Sequence, residues 1–98
     1  MTVRRSRIAQ IIKEFLSEGQ LPAEEITATG EELKAVEYAF DELQCADECA
    51  FEKVNFAILH FSKGCTMTEA ADLCFISERT AYRWKEQVID LVNRELLN

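Results

Sequence analysis

The residues best suited to do chemistry in this 98-residue chain fall in one stretch, residues 65–85, "CTMTEAADLCFISERTAYRWK". Arg79 and Arg83 are four apart, so on a helix they share a face. An arginine so placed can donate two parallel hydrogen bonds to guanine in a major groove. Ser77 and Thr80 put hydroxyls at the start of that helix, where free backbone N–H groups favour a phosphate. Glu78 stands on the exposed side with Glu86, and Tyr82 can meet a phosphate or a thymine methyl. Lys85 suits backbone phosphate better than a base. The candidate DNA-binding residues are therefore Ser77, Glu78, Arg79, Thr80, Tyr82, Arg83 and Lys85. Arginine pairs on exposed helices are commonly just solvated, so the reading depends on what holds this helix in place.

Other reactive side chains make weaker cases. Cys45, Cys49, Cys65 and Cys74 surround His60. Cys45 and Cys49 could share a helix face, but structural zinc sites pair ligands at short spacings, and Cys65 and Cys74 are too far apart for that. Intracellular thiols also serve as small buried apolar groups. No metal or other cofactor is expected, and disulfides still less. His60 has no serine or cysteine motif beside it, so nucleophilic catalysis has no support and the chain is not read as an enzyme. Trp84 shares its helical phase with Ala81 and Val88, which predicts core packing rather than stacking on a base.

The elements that must position these residues are legible in the apolar spacing. Ile8, Ile11, Ile12, Phe15 and Leu16 form a stripe and predict a first helix over residues 3–18. Gly19 and Pro22 then open a connector through residue 29, read as a flexible link between an arm and the body. Thr29 and Glu32 make a capping box for a helix over 30–44, with Leu33, Val36, Phe40 and Leu43 on one face. Asp47 is expected to cap a third helix to Ser62, with Phe51, Val54, Ala57, Ile58 and Phe61 inward; because the apolar period continues through the break, one long bent helix is the alternative. Gly64 ends it in a left-handed cap. Thr66 and Glu69 make a second box, opening a short helix through Cys74. Phe75 and Ile76 turn the chain, and Ser77 caps a last helix to Leu97. Ala81, Trp84, Val88, Leu91 and Val92 form its inward stripe. Nothing alternates as a strand would.

Charge is unevenly spread. The formal net charge is -7, yet residues 1–13 carry only basic charges, and the excess acid lies in residues 14–52. Residues 77–98 balance four basic side chains against four acidic ones. An acidic total therefore leaves room for a locally neutral or basic contact surface. No run of about 18 apolar residues is present, and residues 8–16 are too interrupted for a signal-peptide core. The chain is read as intracellular, in the cytoplasm and off the membrane.

A short helix, a tight turn and a longer helix is the layout of a helix-turn-helix. The stretch "MTEAADLCFISERTAYRWKEQVIDLV" resembles the C-terminal helix-turn-helix of the ArpU-like phage regulators of late transcription, a group itself similar to region four of bacterial sigma factors. The likeness covers about residues 47–97. It includes an aromatic-Arg-aromatic-Lys run, here Tyr82-Arg83-Trp84-Lys85. One position departs: the turn residue that is usually glycine is Phe75.

The expectation is an all-α fold of four or five helices. An N-terminal helix, arm and connector would occupy 1–29, and a DNA-binding domain 30–98 with its helix-turn-helix at 66–97. The resemblance implies a sequence-specific double-stranded DNA-binding regulator of phage or prophage transcription. A basic arm at Arg4, Arg5 and Arg7 would either add phosphate contacts or be disordered. A small-terminase-like DNA-packaging component is the first alternative. A module docking its acidic middle onto RNA polymerase or another protein is the second. Leu91, Val92, Leu96 and Leu97 are candidates for a homodimer interface.

Overall fold

The computed structural model describes residues 4–97. These form five α-helices and no strand: α1 (Arg5–Leu16), α2 (Gly30–Ala46), α3 (Ala50–Ala57), α4 (Met67–Leu73) and α5 (Glu78–Leu97). A single 3₁₀ turn, Ala23–Glu25, lies between α1 and α2. The start expected at Val3 falls outside the described residues.

Both capping boxes form as their sequences predict. Thr29 Oγ1 accepts from Glu32 N–H at 3.1 Å while Glu32 accepts from Thr29 N–H at 2.8 Å. Thr66 and Glu69 repeat the exchange at 3.1 and 2.9 Å. Each box satisfies two backbone donors that a bare helix end would leave open.

One core joins α1, α2 and α5: Ile8, Ile11 and Ile12 pack with Val36, Phe40, Leu43, Val88 and Val92. The rings of Phe15 and Phe40 stack at 6.1 Å. A free arm is therefore not what the N-terminal segment forms. The Cα radius of gyration is 12.9 Å, matching the ~13 Å of one compact domain of this length. Nor does the connector hang loose. Glu14, only 3% exposed, faces it and accepts from the backbone N–H of Thr27, from Ala28 N–H at 3.1 Å and from Thr27 Oγ1 at 2.9 Å. Burial alone would raise the Glu14 carboxyl, but these bonds and one from Gln10 hold it below the usual range. A buried carboxylate has replaced the role that flexibility was expected to play.

The third helix departs most from expectation. Asp47 does not cap it; α2 runs to Ala46, and Asp47 Oδ1 instead accepts from Cys49 N–H at 2.8 Å in a tight turn. With the start moved to Ala50, Phe51 lies in the first turn and is 84% exposed rather than inward. Phe56, absent from the expected stripe, is fully buried. Beyond Ala57 the chain winds as a π-helix over Ile58–Ser62, with Lys63 N–H donating to Ile58 C=O at 2.9 Å. The wider winding shifts side-chain phase, which a 3.6-residue period cannot anticipate. Gly64 (φ 77°) then closes the segment in the left-handed cap that its sequence predicts.

Candidate functional site

Phe56 is the centre of a second, smaller core with Met67, Ala70, Ala71 and Ala81. Ile76 and Trp84 cover its rim. This cluster fastens α4 and α5 to α3. Ala71 is 1% exposed and Ala81 0%, so two methyl side chains permit the close approach of the helix pair. The Trp84 ring meets Phe56 edge-on at 6.1 Å and carries Lys53 Nζ 5.8 Å above its centre. It is half-buried core, as its phase predicts.

The turn between α4 and α5 has a complete hydrogen-bond pattern. Ile76 N–H donates to Ala71 C=O at 3.0 Å, and Phe75 N–H to Asp72 C=O at 3.2 Å. These are the two bonds of a Schellman cap, whose left-handed position normally holds glycine. Phe75 takes that conformation, with φ 58°. The departure noted in the sequence thus changes the residue and keeps the turn.

Ser77 caps α5: its Oγ accepts from Thr80 N–H at 3.1 Å and donates to Thr80 Oγ1 at 3.0 Å. From there the predicted residues divide. Arg79, Tyr82 and Arg83 are exposed and line one open concave strip along α5, continued by Asp90 and Arg94. Glu78 turns to α4 instead and accepts from Thr68 Oγ1 at 2.6 Å, bracing the helix pair. Thr80 is half-buried, and its hydroxyl accepts from Ser77. Lys85, two residues past Arg83, projects from another flank, half-buried near His60. It is not part of the strip, because each residue advances a helix by about 100°. Asp90 and Arg94 were missed in the sequence, although they continue the four-residue register of Glu86.

Two of the three arginines of the expected arm are engaged. Arg5 pairs with Glu86 on the strip, and Arg7 pairs with Glu32 at 2.8 Å while donating to Thr27 Oγ1 at 2.9 Å. Below the strip Lys53, 9% exposed, donates to Asp47 and, at 2.7 Å, to Gln87. The ammonium of Lys53 holds the Asp47 carboxyl below its ordinary range, helped by Cys49 N–H. This part-buried triad joins the end of α2 and the first turns of α3 to α5.

The remaining candidates do not converge. Helix α2 ends between Cys45 and Cys49, so they share no helical face. All four thiols are free, and burial pushes the Cys74 thiol up. Among the described residues no three of His, Cys, Asp or Glu gather as metal ligands would. His60 stacks on Phe56 at 5.9 Å, and its Nδ1 bonds to Cys65 C=O at 2.9 Å. Burial pulls its pKa down, with the Lys85 charge adding to this. Val92 belongs to the chain's own core, with Leu91 and Leu96 packed against it; of the proposed dimer residues only Leu97 is exposed. No helix is long and apolar enough to cross a membrane among the described residues.

Comparison with protein-family models, curated proteins and solved structures finds no match to this chain.

Proposed function

We propose that this chain is a sequence-specific double-stranded DNA-binding regulator of transcription, in a phage or prophage setting. In this reading α4, the turn and α5 serve as a helix-turn-helix, and the outer strip of α5 enters the major groove. The observation that carries it is the exposed Arg79–Tyr82–Arg83 face at the capped start of a helix held by two buried alanines. The resemblance of residues 47–97 to ArpU-like regulators supports the same reading. Arg79 and Arg83 supply the base-reading donors. The Ser77 end of α5 offers backbone N–H groups to a phosphate.

Selection from a random DNA pool at low salt tests this, with the Arg79→Ala/Arg83→Ala double variant as control. Enrichment of a defined motif by the parent chain, lost in the variant, is the expected result. Equal recovery of all sequences, or equal enrichment by both chains, would overturn it. On the selected site, Arg83→Ala should cost about 1–3 kcal/mol and relax preference at one base pair.

A further inference from the structure

Phe51 and Phe75 are the most exposed large apolar side chains among the described residues, at 84% and 95%. Single exposed apolar residues are ordinary, but these two stand on neighbouring elements, α3 and the α4–α5 turn. Asn55 lies one turn after Phe51 on the same face of α3. Its side-chain amide reaches Cys74 Sγ at 4.0 Å, immediately before Phe75. Leu73, the last residue of α4, is also exposed, at 57%. Phe75 is unfavourable twice over: its ring is in water, and its φ of 58° is one that glycine adopts without strain. The folded chain draws no packing from it.

The charge beside these rings selects what can cover them. Glu48 and Glu52 lie close to Phe51 in sequence, and Asp72 and Glu78 stand three residues either side of Phe75, all exposed; Arg79, also exposed, follows Glu78. Lys53 is buried and tied to Asp47 and Gln87. Beyond the Ser77 end of α5, these acids give a polyanion little attraction to the rings. A second copy would set the same acids against each other. Three side chains also fall far short of the ~800 Å² per partner of a stable dimer interface. A short cationic segment with apolar side chains meets both the rings and the acids.

We propose that the patch of Phe51, Leu73 and Phe75 docks a short basic segment of a partner protein, its apolar side chains covering the rings and its Lys or Arg meeting the acidic rim. The proposal does not rest on DNA binding, although Phe75 lies only two residues before the Ser77 end of α5. The test is selection of short random peptides on the immobilised full chain, followed by titration of enriched peptides against Phe51→Ser, Phe75→Gly and Glu48→Lys/Glu52→Lys. Enriched peptides should combine Lys or Arg with large apolar residues, and each variant should weaken them by about tenfold or more. Phe75→Gly keeps the control honest, because it should raise the melting temperature while it weakens binding. Failure to enrich any peptide, enrichment without basic residues, or undiminished binding to the variants would overturn the proposal. Concentration-dependent self-association abolished by Phe75→Gly would do the same, assigning the patch to a second copy.

Discussion

Phe75 holds a conformation that costs a residue with a β-carbon about 1–2 kcal/mol. Phe75→Gly removes that strain but gives the unfolded chain more freedom, worth about 0.4–1 kcal/mol. The difference favours the variant by roughly 0.5–1 kcal/mol, or a rise of a few degrees in melting temperature. Thermal denaturation decides it; a fall would mean the ring packs in the folded state. His60 gives a second test at this scale. Its folded pKa is depressed by burial and by Lys85. The unfolded state therefore binds the proton first as pH falls. Stability should be intact above the ordinary histidine value of 6.5 and decline as pH falls from there through the lower folded value. Urea unfolding of the parent and of His60→Gln should show that decline in the parent alone over this window.

At the scale of elements, the sequence was most readable where a local rule acts by itself. Thr29 with Glu32, Thr66 with Glu69, and Ser77 each bond within four residues, and each starts a helix where its spacing predicts. Legibility failed where an element is set by something distant. The connector looked free because Glu14, thirteen residues before Thr27, gives no local sign of being its anchor. Phe51 looked buried because the period was counted from Asp47, while α3 starts at Ala50 and later widens into a π segment. In the candidate site, Arg79 and Arg83 were visible as a pair. Lys85 and Glu78 lie off the strip because their neighbours, His60 and Thr68, come from other elements. Glu14→Gln tests the anchor. Weakening bonds to the Thr27 and Ala28 amides should cost about 1–3 kcal/mol at neutral pH by urea titration. The folded Glu14 pKa is depressed, so its contribution is lost as pH falls below the ordinary value of 4.5. The gap between variant and parent should therefore shrink in acid. A gap that stays constant would mean that the charge of Glu14 does not matter.

Across the whole molecule, the sign of the charge changes from face to face, and this sets how DNA binding would respond to salt. The chain carries a formal -7, largely outside α5, so its far field repels a polyanion. Attraction must come from groups at contact distance. Arg79 and Arg83 are open for this, whereas Arg5 is paired with Glu86 and Arg7 with Glu32. With two or three phosphates neutralised, the slope of log K against log salt should be about -2 to -3, well short of that for an extensive basic surface. Arg94, further along the same strip, is the third cation that could contribute. Glu86→Gln would release Arg5 from its ion pair and remove an acid from the strip, so it should steepen the slope by about one and tighten binding at low salt. Titration of a fixed duplex across a salt series, for the parent, Glu86→Gln and Arg5→Ala/Glu86→Gln, separates the two effects. If Arg5 takes up a phosphate when freed, the added slope disappears in the double variant while part of the gain in affinity remains. If the slope is the same in all three chains, Arg5 stays off the DNA and Glu86 acts on the strip through its own charge.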